Sequence, residues 1–270
     1  MGKVVAIVNQ KGGVGKTTTS INLAASFAKM KRNVLLIDLD SQGNATVGSG
    51  INKDDLSAMT KDVLLKNATV ETAVVKTEAN YDLLGTDHEL IVAEVKLMQE
   101  TQRELRLKHC LAQAKEFYDY VLIDCPPSLN ILTVNALVSS DSVLIPIQCE
   151  YFALEGLKGL LHTITQVQST INPTLKIEGL LRTMYDGRNR LSLDVSAQLL
   201  QYFPDRVYQT VIPRNVRLAE APSHGKPVLL YDGKSQGALA YLTLAGEMLR
   251  KAQTQTDHAN KSISTQPLEG

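Results

Sequence analysis

Residues 9–18, Asn-Gln-Lys-Gly-Gly-Val-Gly-Lys-Thr-Thr, bring glycines, two lysines and two threonines together in one short segment. Glycines let several backbone N–H groups converge on an anion, and the start of a following helix adds further unpaired N–H donors. A lysine and a hydroxyl at the end of such a loop suit nucleotide phosphates and a Mg²⁺ ion. The segment therefore predicts a phosphate-binding loop, with Lys16 on the phosphates and Thr17 on Mg²⁺. The alternative is a glycine-rich turn that only reverses the chain.

The loop departs at one position from the common pattern G-x-x-x-x-G-K-[ST]. Gln10 stands where that pattern has glycine, and Lys11 is a second lysine at the start of the loop. Because Gly12 and Gly13 can turn the chain away, Lys11 need not serve the interior of its own loop. We hypothesise that it reaches a phosphate across a subunit interface.

Three aspartates follow apolar, β-branched runs that are typical of buried strands. Asp38 and Asp40 follow the run that begins at residue 34, and Asp124 ends the run that begins at residue 120. Ligands of open α/β sheets gather at the carboxyl ends of the strands. Residues two apart on a strand share a face, so Asp38 and Asp40 are both expected to face the phosphates if the strand continues that far. The alternatives are that Asp40 only caps a turn and that Asp124 lies in a surface turn.

Short apolar blocks alternate with helical patterns along the chain. The blocks predict strands at 4–8, 34–37, 120–123 and 142–147, with weaker candidates at 81–84 and 175–181. Apolar residues at helical spacing predict helices at 17–31, 102–116, 154–169, 192–202 and 235–252. This alternation predicts an α/β fold with a mostly parallel sheet flanked by helices. Together with the phosphate-binding loop, it predicts a single P-loop NTPase domain over residues 1–251. Residues 252–270 are polar and lack periodicity, which predicts a disordered tail.

The composition argues against several classes of protein. The 270 residues are 44% hydrophobic and carry 28 basic and 28 acidic side chains, which fits neither a disordered chain nor a uniformly basic nucleic-acid binder. Every apolar run is too short for a signal sequence or a membrane span, which predicts a cytoplasmic protein. Cys110, Cys125 and Cys149 share no C-x-x-C spacing and are interpreted as small buried apolar residues. A bridged iron–sulfur cluster is the alternative.

Six segments match one known family in the same order along the chain, and they are residues 11–18, 35–44, 119–128, 148–156, 211–223 and 225–227. The first is similar to the deviant Walker A loop of the ParA/MinD superfamily of P-loop ATPases. The others resemble the ParA/Soj chromosome- and plasmid-partition branch, and the resemblance covers residues 1–251. It departs at Ser41, where the family often has proline, and at Asn130, where glycine is common.

The resemblance implies a role for each matching residue. Asp40 orients the water that attacks the γ-phosphate, and Asp124 holds Mg²⁺ together with Thr17. Pro213 and Asn215 lie on the adenine side of the nucleotide, although a helix that starts after Pro213 explains the same residues. The implied catalytic residues are Lys11, Lys16 and Asp40, and the implied nucleotide-binding residues are Lys11, Gly12, Gly13, Val14, Gly15, Lys16, Thr17, Thr18, Pro213 and Asn215.

The resemblance also implies partners. ATP is bound in a sandwich homodimer, in which Lys11 of one copy reaches the nucleotide of the other. Such ATPases are slow alone, are accelerated by a ParB-type partition protein, and associate with the nucleoid through sequence-independent DNA binding. A MinD-like ATPase on the membrane is the alternative, and it needs a C-terminal amphipathic helix that the polar residues after Ala252 do not suggest.

The distribution of charge allows a DNA-binding face. Residues 178–251 carry ten basic and seven acidic side chains, whereas residues 53–100 carry five lysines and ten acids. By charge alone, a solvated mixed surface is the better explanation of these numbers. The resemblance favours DNA, because Arg188 and Arg217 resemble the arginines that the family uses for it, and Arg190 is a weaker candidate.

Overall fold

Parallel strands form the centre of the molecule. The computed structural model describes residues 2–264, with residues 255–264 described by their backbone only. The strands are β1 (Lys3–Ile7), β2 (Val34–Asp38), β3 (Val75–Lys76), β4 (Asp82–Leu84), β5 (Tyr120–Asp124), β6 (Ser142–Gln148) and β7 (Lys176–Thr183). They form one seven-stranded sheet in the order β3-β4-β2-β5-β1-β6-β7. Only the edge pair β3–β4 is antiparallel among the described strands.

Helices connect the strands and cover the sheet. Within residues 2–264 they are α1 (Lys16–Lys29), α2 (Asn44–Gly48), α3 (Thr60–Leu64), α4 (Val70–Ala73), α5 (Leu90–Leu97), α6 (Arg106–Ala114), α7 (Ile131–Ser139), α8 (Ala153–Thr170), α9 (Arg190–Tyr202), α10 (Val216–Glu220), α11 (Val228–Tyr231) and α12 (Gln236–Ser264).

Both faces of the sheet are buried, because successive side chains of a strand point to opposite sides. In β1, Val4 and Ala6 pack into one apolar cluster with α3 to α9, whereas Val5 and Ile7 pack into a second cluster with α1, α11 and α12. Strands covered on both faces are near-continuous runs of apolar residues, and for this reason the short apolar blocks predicted strands correctly. The fold therefore confirms the predicted α/β domain with a mostly parallel sheet flanked by helices.

The helical prediction for residues 102–116 is only partly correct. The segment consists of a 3-10 turn at Arg103–Leu105, then α6, then a second 3-10 turn at Lys115–Phe117. Helix α5 was not predicted, because its face away from α3 and α7 is also apolar and hides the helical period: Ile91, Val92 and Val95 are each more than half exposed.

The end of the chain also differs from its prediction. Helix α12 continues to Ser264, twelve residues past the predicted end of the helix at Ala252. Residues 253–264 contain neither glycine nor proline, so no residue in them interrupts backbone hydrogen bonding. The predicted tail is therefore helical over 252–264, and residues 265–270 lie outside the described part. The domain boundary at 251 stays a prediction.

Candidate nucleotide site

The glycine-rich loop lies between the end of β1 and the start of α1, as its sequence predicts. Gly13 and Gly15 have φ values of +72° and +87°, a left-handed conformation that glycine adopts without steric cost. Asn9 holds the entrance of the loop: its Nδ2 donates to the carbonyl of Pro146 at 2.7 Å, and its Oδ1 accepts from the backbone N–H of Lys11 at 2.9 Å. The loop is thus a shaped element that leads directly into the N-terminus of α1.

Lys16 is the first residue of α1 and lies inside the site. It is only 7% exposed, and its Nζ donates to the carbonyl oxygen of Lys11 at 3.2 Å. Burial lowers the pKa of Lys16, and the negative charge of Asp124 partly opposes that shift. A poorly solvated ammonium group gains strongly from a nearby anion, so this environment favours binding of phosphate.

Asp124 is fully buried at the end of β5, beneath the start of α1. Its two oxygens accept hydrogen bonds from Thr17 Oγ1 and from Ser20 Oγ, both at 2.8 Å. Burial, followed by the charge of Asp38 on the neighbouring strand, raises the pKa of Asp124 to about 7. Hydroxyl and carboxylate oxygens are the ligands that Mg²⁺ prefers, so Thr17 and Asp124 fit a bound Mg²⁺. A cation here would also favour the ionised carboxylate that burial opposes.

Asp38 and Asp40, at the end of β2, do not share a face toward the loop. Strand β2 ends at Asp38, so its alternation does not extend to Asp40. Asp38 is fully buried and accepts from the backbone N–H and hydroxyl of Thr46, at 2.8 and 2.7 Å. Burial raises the pKa of Asp38 to about 6. The expectation that Asp38 faces the phosphates is therefore wrong, because the hydrogen bonds to Thr46 hold it in the interior at the start of α2.

Asp40 lines a cavity together with residues of the loop. Its Oδ1 accepts from the backbone N–H of Gln42 at 3.1 Å, so it also caps a turn, as the alternative reading held. The cap uses one oxygen of the carboxylate. The second oxygen is left for another ligand.

A cavity of about 900 Å³ extends along the carboxyl edge of the sheet. Its lining includes Gly12, Gly13, Gly15, Lys16, Thr17, Thr18, Asp40, Pro213 and Asn215. It therefore brings together most of the predicted nucleotide residues, which lie far apart in the sequence. Val14 and Lys11 do not line it.

Asn215 also lines this cavity. It occupies the cap position before α10, yet its side chain makes no capping hydrogen bond. Its Oδ1 is buried without a hydrogen-bond partner. A buried amide oxygen without a donor is costly, so this atom suits a ligand N–H better than a purely structural cap.

Lys11 points away from the interior of its own loop. Its Nζ forms an ion pair with Glu150 Oε2 at 2.7 Å, and its side chain is 39% exposed. The ammonium is therefore available at the surface beside the cavity, held by a carboxylate from the segment after β6.

The predicted DNA-binding arginines are all at the surface, and two of them are paired with acids. Arg188, whose side chain is 92% exposed, donates from Nε and Nη2 to the two oxygens of Asp186, each at 2.9 Å. Arg217 pairs with Glu220 at 2.9 Å and with Asp232 at 3.3 Å. The exposed Arg190 is the first residue of α9, directly after the Arg188 loop.

Several site residues could not be identified from the sequence. Ser20 lies one helical turn after Thr17, a spacing that could have suggested a second hydroxyl on Asp124. Three further residues are distant from the loop in the sequence, and the fold brings them close to it: Glu150, Thr183 and Tyr241. Tyr241 on α12 lines the cavity and shares a hydrogen bond with Thr19 at 3.1 Å.

The cysteines and the helices bear on the alternative functions. Cys125 and Cys149 are buried, Cys110 is half-buried, and none of the three forms a disulfide. Within the described residues no group of three or more His, Cys, Asp or Glu side chains is arranged to hold a metal. Among the helices of residues 2–264, none combines the length and apolarity needed to cross a bilayer.

The parallel sheet, with its phosphate loop after β1 and its buried aspartate at the end of β5, defines a P-loop ATPase. Residues 2–177 match the family described as AAA domain. The sporulation initiation inhibitor protein Soj of Bacillus subtilis is 54% identical over 249 residues, 92% of this chain and 98% of that protein. The chromosome partitioning protein ParA of Caulobacter vibrioides is 51% identical, over 92% of this chain and 94% of that protein.

Solved structures agree with this class. Cobyrinic acid a,c-diamide synthase from Mycobacterium smegmatis, with bound ADP and magnesium, superimposes with a TM-score of 0.83 at 38% identity, over 94% of this chain and 97% of that chain. The chain belongs to the ParA/Soj family of partition ATPases, as its sequence motifs predict.

Proposed function

We propose that this partition ATPase binds Mg²⁺ and ATP in the 900 Å³ cavity, dimerises around the nucleotide, and then binds DNA without sequence specificity. A ParB-type partner accelerates hydrolysis and so releases the DNA. The observation that carries the proposal is that Lys16 and Thr17 line the same cavity as Asn215, whose buried Oδ1 has no partner, while Thr17 donates to the buried Asp124. This combination of groups suits a ligand with a charged end and a base.

Each residue around the phosphate loop has a separate role in hydrolysis. Thr17 and Asp124 hold Mg²⁺, which neutralises phosphate charge when bound. Lys16 and the loop N–H groups stabilise the charge that develops on the γ-phosphate. Oδ1 of Asp40 accepts a hydrogen bond from the backbone N–H of Gln42, which fixes the orientation of the carboxylate. The other oxygen orients the attacking water. Loss of Lys16 in a Lys16→Ala variant should therefore abolish ATP binding.

Dimerisation is supported by the position of Lys11. Its ammonium lies outside its own cavity and is held by Glu150 at the surface. Transfer of Lys11 from Glu150 to the partner's phosphates would make ATP part of the interface. Analytical ultracentrifugation with a nonhydrolysable ATP analogue tests this step: a wild-type dimer and a monomeric Lys11→Ala variant are expected, and a wild-type monomer at saturation would contradict it.

DNA binding is supported by the exposed Arg188 and Arg190 at the start of α9 and by Arg217 on α10. Arginines that contact phosphates give binding that weakens steeply with salt. The decisive experiment measures binding to a nonspecific duplex with ATP, ADP and no nucleotide, over a range of salt concentrations. We expect binding with ATP only and a reduced salt dependence for Arg188→Glu.

The matched control for Arg188→Glu is Arg32→Glu, which makes the same change of charge. Arg32 precedes β2 and pairs with Asp119 before β5, so it lies at the opposite edge of the sheet from the site. The Arg32 variant should bind DNA as wild type does. Normal DNA binding by the Arg188 variant would show that the basic face is elsewhere, and ATP-dependent sedimentation with anionic liposomes instead of DNA would favour the MinD-like alternative.

A further inference from the structure

Thr183, the last residue of β7, lies against the phosphate loop. It is 2% exposed, and its Oγ1 donates to the carbonyl oxygen of Val14 at 2.7 Å, across 169 residues of sequence. Its Cβ and methyl group are 3.9 Å from the point that a Cβ on Gly15 would occupy. Thr183 and Gly15 both line the cavity. The threonine therefore contacts the loop through a hydrogen bond and through packing.

The hydrogen bond acts on one particular peptide unit. The carbonyl of Val14 and the N–H of Gly15 belong to the same planar group, and the described residues contain no cis peptide bond. In a trans peptide the C=O and the N–H point in opposite directions. A hydroxyl that holds the Val14 oxygen on one side therefore directs the Gly15 N–H to the other side.

This peptide needs such a constraint, because the loop around it is rich in glycine. Gly13 and Gly15 both have positive φ values, and glycine restricts its neighbouring peptide planes less than other residues do. We propose that Thr183 is a positioning residue, which fixes the Val14–Gly15 peptide so that the Gly15 N–H faces the nucleotide phosphates. The inference rests on the proposed nucleotide site and adds a determinant that the loop sequence does not contain.

The chain beyond Thr183 provides a competing explanation. Tyr185 donates its N–H to the carbonyl of Ile212 at 2.9 Å, and its carbonyl accepts from the N–H of Arg214 at 3.3 Å. These bonds connect the end of β7 to the base side of the cavity. A role for Thr183 on the base side would leave the binding of a ligand that has phosphates but no base unchanged, and the test uses this difference.

The test compares Thr183→Val, which keeps the shape but lacks the donor, with Thr183→Ser, which keeps the donor. The control is Thr77→Val: Thr77 is 4% exposed, and its hydroxyl donates to the carbonyl of Tyr81 at 2.8 Å, in the turn before β4. Circular dichroism verifies that all variants are folded. Titration with fluorescent N-methylanthraniloyl-ADP and Mg²⁺ gives Kd, and displacement by inorganic tripolyphosphate reports on the phosphate end alone.

In Thr183→Val the Gly15 N–H is no longer held toward the charged phosphate. The Kd for both ligands should therefore rise roughly tenfold, which corresponds to about 1.4 kcal/mol. Thr183→Ser should recover most of this affinity, and Thr77→Val should bind as wild type does. Equal affinities for Thr183→Val and wild type, an unchanged tripolyphosphate affinity, or a failure of serine to restore binding would each overturn the inference. Absence of nucleotide binding by the wild type would instead refute the proposed function itself.

Discussion

Replacement of Asp124 by asparagine should stabilise the protein without nucleotide while removing its response to Mg²⁺ and ATP. The carboxyl group is fully buried, and its pKa is raised to about 7, above the value of 3.8 for an ordinary aspartate. Its two partners are the hydroxyls of Thr17 and Ser20, which can rotate to accept a hydrogen bond from an amide as well as donate one. Asparagine therefore keeps the hydrogen bonds and removes the buried charge.

The direction of the pH effect follows from the raised pKa. Between about pH 4 and pH 7 the folded state of wild type keeps a proton on Asp124 that the unfolded state has lost. The free energy of unfolding therefore falls as the pH rises through this range. The penalty is complete above about pH 7. At about 1.4 kcal/mol for each tenfold difference in proton affinity, it amounts to roughly 4 kcal/mol. Asp124→Asn lacks this penalty at every pH.

Urea denaturation in EDTA without nucleotide, at pH 5 and pH 8, measures the free energy of unfolding. We expect Asp124→Asn to exceed wild type clearly at pH 8, by up to roughly 4 kcal/mol, and the gap to narrow at pH 5. Addition of Mg²⁺ and ATP should then raise the melting temperature of wild type only.

Asp38→Asn provides the control for this experiment. Asp38 also has a raised pKa, but its oxygens accept the backbone N–H groups of both Thr46 and Asp40. Asparagine has a single side-chain oxygen and would leave one of them unpaired, so this variant should gain no stability. An Asp124→Asn protein that is less stable than wild type at pH 8, or a gap that does not change between pH 5 and pH 8, would refute the reasoning.

Three further predictions concern the proposed cycle. Asp40→Ala should bind ATP and accumulate dimer in ultracentrifugation while phosphate release stops; continued release would exclude Asp40 as the residue that orients water. Asp186→Asn removes the carboxylate that pairs with Arg188, so DNA affinity should rise several-fold more than in Asp194→Asn, an exposed control with the same change of charge. Equal gains in the two variants would show that only net charge matters. Gly237→Ala places a Cβ 2.6 Å from Leu218 of α10 and 3.2 Å from Asn215 Oδ1. It should therefore weaken nucleotide binding and lower the free energy of unfolding by about 1–3 kcal/mol. Calorimetry measures the binding and urea denaturation the stability, and wild-type values in both would contradict the close packing.

The sequence was informative wherever a local pattern determines the structure. The strands could be predicted because their residues are buried on both faces of the sheet, and the loop could be predicted because its chemistry lies within residues 9–18. The alignment of β1, β2 and β5 then brings the ends of their apolar runs together. Asp38 and Asp124 are paired in register across neighbouring strands, as expected from a parallel sheet.

The parts that could not be predicted depend on small differences or on distant contacts. Whether β2 ends at Asp38 or two residues later decides whether Asp38 can face the same side as Asp40, and apolar periodicity does not locate the end of a strand that accurately. Thr183 and Glu150 contact the loop across 169 and 139 residues of sequence, so only the fold reveals them. The extension of α12 depends on the absence of a stop signal, which is weaker information than its presence.

The ion pairs at the surface have a consequence for how this molecule meets others. Lys11 rests on Glu150, and Arg188 rests on Asp186. An incoming polyanion must displace these carboxylates, so an encounter exchanges one charge contact for another. The net free energy gained from a single exchange is small, so a single contact does not hold the polyanion. Durable association with a polyanion therefore requires several such exchanges at the same time.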